Sequence, residues 1–250
     1  MSISECTPLI EWPSPSSNPS LHDGIVHVWA WDYECSAEVL NRYLALLSSD
    51  ERLRMQRFRF EKDRIRYSVS HAILRILLGR YLDTDPSSIS FHRSEFGKPH
   101  LSQVLSAPKL AFNLSHTTRI GLLAIAVDLE IGVDIEEVRA VECGTVERYF
   151  SPQEQSSLTS LEGNDWLEGF YNCWTRKEAI LKAEGLGLNA TLDAFDVSLR
   201  PNVKSEILGV RANSRLTSNW HLVELRPVHG FIGALAANAL ASVACYRFAN

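Results

Sequence analysis

The sequence lacks the features of a membrane-spanning, secreted or polyanion-binding protein. No apolar run reaches the ~20 strongly apolar residues that a spanning helix needs. No basic segment followed by an apolar core marks a signal peptide at the N-terminus. Basic residues number 25 against 30 acidic ones, which gives a net charge of −5. We therefore expect a cytoplasmic protein whose basic sites are local, with no membrane partner and no nucleic-acid partner.

Cysteine is also sparse. The five cysteines are odd in number, lie far apart and form no CxxC pair. This distribution argues against a zinc site and against a disulfide framework, and it favours reduced thiols in a cytoplasmic protein. The most apolar stretch, residues 230–246, is rich in alanine and glycine and contains Asn238. It is typical of buried strands and not of a membrane span.

The sequence does contain ample material for a hydrophobic core. Hydrophobic residues make up 45% of the chain and charged residues 22%, which is typical of one large globular domain or two ordinary ones. Prolines and serines are concentrated in residues 12–20. We interpret residues 1–22 as a Pro/Ser-rich leader without a chemical role.

The order of strand, helices and strands occurs twice along the chain. Alternation of apolar and polar residues predicts strands near the C-terminus and over residues 24–31, 110–116, 120–127 and 132–138. We therefore expect an α+β fold of two similar α/β subdomains related by a pseudo-two-fold axis, each a small, largely antiparallel sheet with packed helices. The expected N-terminal half spans residues 23–125, and the expected C-terminal half spans residues 126–250.

Two long helical segments are predicted between the strands. The first covers residues 37–81, with a break after which Asp50 is the expected N-cap. The second opens at residue 164 or 165, with a capping box between Asp165 and Glu168. It should end at Gly185, because glycine readily takes the left-handed conformation that terminates a helix.

The second helix carries an acid on its apolar stripe. At about 100° per residue, Phe170, Trp174 and Leu181 share one face of the helix, and Glu178 lies in the same stripe. A lone ionised carboxylate in an apolar setting is strongly unfavourable, so it requires a cation, hydrogen bonds or protonation. Lys182 lies one turn further on, and an ordinary ion pair worth ~0.3–0.5 kcal/mol is an open alternative for Glu178 taken alone.

A second acidic feature lies on the predicted strand at residues 132–138. The period of two places Asp134 and Glu136 on one face beside Gly132. Two neighbouring carboxylates repel each other unless a positive group lies between them, although an isolated pair is also common on a solvated edge strand. Together with Glu178, these acids would form an all-oxygen cluster that suits Mg²⁺, an ion that commonly bridges to phosphate. The acids therefore predict a phosphate-bearing substrate.

Three other segments contain groups that bind phosphate. FNLSHT places Ser115 and His116 at a strand end, and GKP places Lys98 in a turn before Pro99. Residues 52–66 contain seven basic side chains mixed with acids. Each feature also has a structural alternative: a histidine without a ligand, a surface lysine, and a solvated helix face. Contact of the basic segment with RNA or DNA fits poorly with the acidic total.

Taken together, these motifs resemble the Sfp-type 4′-phosphopantetheinyl transferases. The matching segments occur in the family's order and are FGKP, FNLSHT, GVDIEEV and WTRKEAILKAEGLGL, with DERLRMQRFRFEKDRIRYSVSHAILR aligned without a gap. The resemblance covers residues 24–240, and GVDIE together with WxxKEAxxK is its most specific part. It implies two similar halves with coenzyme A in the cleft between them. It also implies transfer of the phosphopantetheine arm of coenzyme A to a serine of an apo carrier protein, with release of 3′,5′-ADP.

The resemblance assigns roles to individual residues. Asp134 and Glu178 match the Mg²⁺ ligands, and Glu136 matches a third acid at the metal. Glu178, directly or through a water molecule, is the candidate base for the serine proton. The phosphate contacts are Lys182 at the pyrophosphate, Ser115 and His116 at phosphate oxygens, Lys98 and Pro99 of the GKP turn near the nucleotide, and Arg54 and Arg66 at the 3′-phosphate. Lys182 and His116 are also expected to offset charge during the reaction. Glu51 departs from the pattern, because some members carry a lysine there.

Two other classes of function fit the same residues. A metal-dependent phosphodiesterase would use the acids to activate water, and a non-catalytic coenzyme A-binding protein would keep the pocket without transfer. Three acids together with Lys182 argue against the non-catalytic protein, which does not need the full set, whereas the phosphodiesterase stays an open alternative. The expected partner is an acidic acyl or peptidyl carrier protein of fatty-acid, polyketide or nonribosomal peptide synthesis. A chain that contains both halves predicts a monomer.

Overall fold

A computed structural model describes residues 12–15, 19–102, 109–185, 192–211 and 219–249. Within these ranges the chain forms a mixed α+β fold, which confirms the expected fold class. Most of the leader at residues 1–22, and residues 186–188 at the end of the WTRKEAILKAEGLGL motif, lie outside the described residues.

The first part of the chain has three consecutive helices between its first strand and four further strands. Its strands are β1 (Ile25–Asp32), β2 (Phe91–Arg93), β3 (Pro99–Leu101), β4 (Leu110–His116) and β5 (Ile120–Val127). Its helices are α1 (Ala37–Leu46), α2 (Ser49–Gln56) and α3 (Glu61–Leu82). The predicted strands at 24–31, 110–116 and 120–127 are therefore confirmed.

The second part contains one long helix between strands. Its strands are β6 (Ile131–Glu137), β7 (Phe195–Val197), β8 (Ile207–Val210), β9 (His221–Leu225), β10 (Phe231–Ala237) and β11 (Ser242–Arg247). Its helices are α4 (Thr145–Tyr149), α5 (Pro152–Thr159) and α6 (Gly163–Glu184). The long helix α6 ends where the sequence predicts, at Gly185 with a φ of 69°.

Two small sheets pack face to face, with helices on their outer faces. The first sheet has the strand order β11-β1-β5-β4 and the second β6-β10-β9, with two separate hairpins of β2-β3 and β7-β8. A cluster between the sheets joins Val28 and Leu122 to Val133 and Leu235. A second cluster packs α3 on the first sheet, and a third packs α6 on the second sheet. The layers therefore run helix, sheet, sheet, helix.

The end of the chain passes from one sheet to the other, because β10 lies in the second sheet and β11 lies in the first. Strand β11 pairs in parallel with β1, with Ser242 opposite Ile25 and Arg247 opposite Ala30. All other strand pairs among the described residues are antiparallel. The C-terminal strand thus belongs to the sheet built by the first part of the chain.

Two predicted helix starts are wrong. Ser48 and not Asp50 is the N-cap of α2, because the Ser48 hydroxyl accepts from the Glu51 amide and the Glu51 carboxylate accepts from the Ser48 amide. These reciprocal bonds satisfy two amides that a helix start leaves free. Helix α6 begins at Gly163 without a side-chain cap, and Glu168 pairs with Arg226 instead of closing the predicted box with Asp165.

The thiol prediction is wrong at one position. Cys35, Cys143 and Cys173 are free thiols, as expected, whereas Cys245 is disulfide-bonded.

No helix in the described ranges is long and apolar enough to cross a bilayer.

Helix α6 approaches β6 so closely that Gly132 cannot be replaced without displacement. A Cβ atom on Gly132 would overlap the carbonyl oxygen of Ala179 and the amide nitrogen of Ala183. Both obstacles are backbone atoms of a helix buried on most of its surface, so they cannot move as a flexible side chain can. Glycine at this position therefore sets the distance between the helix and the strand.

We predict that Gly132→Ala destabilises the chain by ~1–3 kcal/mol, the usual cost of overpacking. Gly209→Ala is the matched control, because a Cβ there would meet only the Asp196 carboxylate at an ordinary 3.7 Å. Urea denaturation of both variants measures the effect. Equal midpoints for the two variants would show that the α6–β6 contact is looser than described.

Candidate active site

Asp134 lies at the centre of a small polar cluster between β4, β6 and α6. Its Oδ1 atom accepts a 2.6 Å bond from Nζ of Lys182 and a 3.0 Å bond from the hydroxyl of Ser115. Lys182 also donates to the Ser115 hydroxyl at 2.9 Å and to the carbonyl of Val133. Three of the residues singled out from the sequence thus make direct contact, although they lie far apart in the chain.

Local periodicity explains how these side chains meet. On β6, Asp134 and Glu136 share the face of Gly132, and this face lies toward α6. On α6, Glu178 and Lys182 are one turn apart, so they lie on the same side of the helix. The predicted strand face is confirmed, and on the helix Trp174, Glu178 and Leu181 line the same cavity although Glu178 is not in the core.

Burial and mutual repulsion disfavour ionisation of the other two acids. Burial, and then the neighbouring charge of Asp134, raise the pKa of Glu136 to about 7, against the opposing effect of Lys182. Burial and Asp134 also raise the pKa of Glu178, again opposed by Lys182. The three carboxyl groups therefore interact, and one cationic side chain does not fully compensate them.

The acids have the donor chemistry of a site for a hard divalent cation. Oδ2 of Asp134 is buried and, among the described residues, has no hydrogen-bond partner. A cation or its bound water would satisfy such an oxygen. In the described part of the chain, however, no three acid, histidine or cysteine side chains are grouped closely enough to hold a metal ion. The residues fit Mg²⁺ by donor type, and the cluster of Asp134, Glu136 and Glu178 stays a prediction.

The polar cluster borders a cavity of about 830 Å³. Its lining includes Glu178 and Lys182 of α6 together with Lys98 and Pro99 of the GKP turn. The rest of the lining is largely aromatic or apolar and includes Phe96, Leu114, Tyr149, Trp174, Leu181 and Leu192. An apolar cavity with a few convergent charged groups is the usual form of a small-molecule site.

A second cavity, of about 650 Å³, adjoins the first along β4 and is lined by four arginines and three carboxylates. Arg54, Arg66 and His116 line this cavity, and Arg66 also pairs with Asp63 at 2.9 Å. Pro99 and residues 113–114 line both cavities. Burial, and then Lys182 and neighbouring cations, lower the pKa of His116. The two cavities are therefore adjacent, one bordered by the acids and one rich in arginine.

Lys98 has a structural role in addition to its place at the cavity. Its Nζ atom donates to the carbonyl of Ala183 at 2.6 Å and to the carbonyl of Ile131 at 3.3 Å. Glu130 lies 3.5 Å away, and burial lowers the pKa of Lys98 against the pull of that carboxylate. The lysine of the GKP turn thus joins the end of α6 to the start of β6.

Comparisons with known proteins identify the family of the chain. Residues 130–239 match the family model of the 4′-phosphopantetheinyl transferase superfamily. Residues 30–127 match the family model of the N-terminal region of 4′-phosphopantetheinyl transferases. The 4′-phosphopantetheinyl transferase HetI of Nostoc sp. is 33% identical over 227 residues, which are 90% of this chain and 92% of that protein. The chain belongs to the 4′-phosphopantetheinyl transferase superfamily. The 4′-phosphopantetheinyl transferase Sfp of Bacillus subtilis is 32% identical over 168 residues, 67% of this chain and 73% of that one.

Membership of the 4′-phosphopantetheinyl transferase superfamily confirms the resemblance read from the motifs and makes the chain an enzyme that transfers a group. The two matched regions meet between residues 127 and 130, close to the expected division at residue 125. The roles of individual site residues stay predictions.

The sequence reading missed several residues that position this phosphopantetheinyl transferase site. The side-chain oxygen of Asn113 accepts from the amide of Val133 at 2.8 Å and so fixes β4 against β6. Lys177 of the WTRKEA motif is fully buried and pairs with Glu154 at 2.9 Å. Arg176 is buried as well and bonds Glu224 at 3.0 Å. A signal was present in the sequence, since two adjacent cations on a helix that also carries Phe170, Trp174 and Leu181 cannot both avoid its buried side, and a buried cation requires a partner.

We predict that Glu136→Gln stabilises the metal-free enzyme at pH 8 and has little effect at pH 5. The fold raises the pKa of Glu136 from 4.5 to about 7, so the protonated carboxyl favours folding. That contribution is complete below about pH 4.5 and is lost as the pH rises to about 7. Thermal unfolding in a chelating buffer at several pH values measures it. Parallel curves for the variant and the wild type would contradict the stated environment of Glu136.

Proposed function

We propose that the enzyme transfers the 4′-phosphopantetheine arm of coenzyme A to a serine of an apo acyl or peptidyl carrier protein and releases 3′,5′-ADP. The cluster of Asp134, Ser115 and Lys182 between the two cavities carries this proposal. A cationic and hydroxyl-bearing cluster of this kind suits a pyrophosphate, because lysine and serine donate to phosphate oxygens. The two adjacent cavities offer space on both sides of that group.

The placement of the donor follows from the charges. The nucleotide end of coenzyme A carries a 3′-phosphate, which suits the cavity lined by Arg54, Arg66 and His116. The pantetheine arm is largely uncharged, and it suits the cavity with aromatic walls. The pyrophosphate then lies near Ser115 and Lys182. We propose this cleft between residues 23–125 and residues 126–250 as the active site.

The transfer is a substitution at the phosphorus that bears the pantetheine arm. The carrier serine oxygen forms a bond to this phosphorus, the bond to the bridging oxygen of 3′,5′-ADP breaks, and that oxygen keeps the electron pair. The serine proton passes to the Glu178 carboxylate, which lines the larger cavity. Lys182 and His116 offset negative charge on the phosphoryl oxygens. Positioning and charge compensation of this kind supply most of the rate acceleration in phosphoryl transfer.

Asp134, Glu136 and Glu178 would hold the divalent cation that the reaction requires, with Mg²⁺ as the proposed ion. When bound there, Mg²⁺ would neutralise charge on the pyrophosphate. The unpartnered Oδ2 of Asp134 and the raised pKa values of Glu136 and Glu178 support this assignment. All three features describe a site whose negative charge exceeds its local compensation.

The carrier protein is the second proposed partner, and the enzyme is proposed to act as a cytoplasmic monomer. Arg148, Tyr149 and Trp174 line the larger cavity, and Arg148 is exposed to solvent. This combination of an arginine and two aromatic rings suits an acidic carrier of fatty-acid, polyketide or nonribosomal peptide synthesis. No part of the proposal requires a nucleic acid or a membrane.

Mass spectrometry of an apo carrier incubated with the enzyme, coenzyme A and Mg²⁺ tests the function directly. The carrier should gain the mass of one phosphopantetheine, and 3′,5′-ADP should appear in equal amount. Cleavage of coenzyme A without a carrier would instead support a metal-dependent phosphodiesterase. Binding of coenzyme A without cleavage or transfer would support a non-catalytic binding protein.

We predict that Glu178→Gln lowers the turnover number at least ~10²-fold at saturating Mg²⁺, because the amide can neither accept the proton nor supply charge to the cation. Glu162→Gln is the matched control, since it makes the same change at the exposed N-cap of the same helix. Transfer to the apo carrier is the measurement. Near-normal turnover of Glu178→Gln would remove this residue from the reaction.

We predict that Arg54→Ala and Arg66→Ala weaken the binding of coenzyme A about tenfold each and leave that of dephospho-coenzyme A nearly unchanged, because each removes a charged donor to the 3′-phosphate. Arg57→Ala is the control, since Arg57 is exposed at the end of α2 and does not line the cavity. Titration calorimetry with both ligands measures the difference. Equal losses for the two ligands would place the 3′-phosphate elsewhere.

A further inference from the structure

The arginine-rich cavity contains a histidine that the proposed reaction does not use. His71 lies on α3, and its Nδ1 atom is 2.9 Å from Oε1 of Glu51. The imidazole ring also stacks on Tyr67, with 4.0 Å between the ring centroids, and its side chain keeps 20% of its surface exposed. Among the described residues, its Nε2 atom has no hydrogen-bond partner. The ring is thus held in place with one nitrogen left for a ligand.

The carboxylate beside His71 is already neutralised by another side chain. Arg75 is buried and donates its Nε to Glu51 at 2.8 Å, while its NH1 group donates to the carbonyls of Pro86 and Ile89. Burial alone would raise the pKa of Glu51, but hydrogen bonds from His71, the Ser48 amide and Arg75 lower it to about 2. Nε and Nη1 of Arg75 are thus engaged by protein acceptors, and its charge is paired with Glu51. A proton on His71 would therefore add one positive charge to the cavity.

The charged groups that face His71 leave the cavity only weakly positive. Four arginines oppose three carboxylates, and a second histidine is present. These groups are Asp50, Glu51 and Arg54 of α2, Asp63, Arg66 and Arg75 of α3 beside Tyr67, Arg93 of β2 and His116 of β4. Two of the arginines are paired with these same carboxylates, Arg66 with Asp63 and Arg75 with Glu51. A phosphate monoester carries nearly two negative charges at neutral pH, which is more than the single net positive charge of these arginines and carboxylates.

We propose that His71 is a specificity-determining residue, which takes up a proton when a 3′-phosphate enters this cavity. Nδ1–H then donates to Glu51 and Nε2–H donates to a phosphate oxygen, with the added proton drawn from solvent. This inference rests on the proposed function, since it places the nucleotide end of coenzyme A in the arginine-rich cavity. It gives a role to Glu51, the acid that stands where some family members carry a lysine. Preference for coenzyme A over dephospho-coenzyme A should decline as the pH rises.

Titration calorimetry of the full chain with 3′,5′-ADP and with 5′-AMP tests the inference without a carrier protein. In buffers of different ionisation enthalpy near neutral pH, 3′,5′-ADP should bind with proton uptake and 5′-AMP should bind without it. His71→Gln should abolish the uptake and weaken 3′,5′-ADP binding about tenfold, the loss of one charge-assisted hydrogen bond. His229→Gln, which makes the same change at an exposed residue outside the cavity, should behave as wild type.

His116 is the competing proton acceptor, because it lines the same cavity. Uptake that persists in His71→Gln and disappears in His116→Gln would overturn the inference. A second variant, Glu51→Gln, keeps an oxygen acceptor at this position and removes the negative charge. It should lower the proton uptake without weakening 3′,5′-ADP binding, and unchanged uptake would count against the inference.

The outcome also separates this inference from the proposed function. Transfer from coenzyme A to a carrier, with 3′,5′-ADP binding that takes up no proton, would overturn the role of His71 and leave the transferase intact. If 3′,5′-ADP and 5′-AMP bind equally well, the cavity does not hold the 3′-phosphate and the inference falls with that placement. Absence of transfer in the presence of normal proton uptake would instead overturn the proposed reaction alone.

Discussion

The structure depends on the close contact between β6 and α6. The absence of a side chain at Gly132 lets the backbone of the helix lie against the strand at Ala179 and Ala183. That approach allows Lys182 to reach Asp134 at 2.6 Å, and Lys98 closes the same contact by bonding the carbonyls of Ala183 and Ile131. A helix held further away would separate the cation from the acid. One backbone contact therefore sets the charge arrangement of the whole site.

Buried polar groups fix the orientation of α6 as firmly as its apolar contacts do. Arg176 and Lys177 are fully buried and pair with Glu224 and Glu154. Loss of one partner from a buried ion pair costs ~3–5 kcal/mol, because a charge is then left without compensation. Rotation of the helix about its axis would break both pairs at once. Glu178 consequently has one available position, facing the larger cavity rather than the core.

Strand β4 contributes side chains to two neighbouring sites, and residues 113–114 line both cavities. Ser115 donates to Asp134 on the side of the acids, whereas His116 lines the arginine-rich cavity. Successive residues of a strand point to opposite faces, so two adjacent positions serve two different sites. The proposed donor, a nucleotide with a phosphate at one end and an uncharged arm at the other, matches this division. The clustering of arginines in one cavity explains how a chain with a net charge of −5 can offer a local anion site.

The sequence alone determined the strand face of Asp134 and Glu136, the end of α6 at Gly185 and the family, because short periodicities and motifs are local properties. It described Glu178 only in part, because Phe170 and Leu181 are buried but Glu178 itself lines a cavity. The fully buried charged residues of this helix are Arg176 and Lys177. Only the tertiary structure decided the pairing of β11 with β1, the bond between His71 and Glu51, and the two cavities. These features join residues from 20 to more than 200 positions apart, and a pattern with a period of two or 3.6 residues contains no information on which distant segments meet.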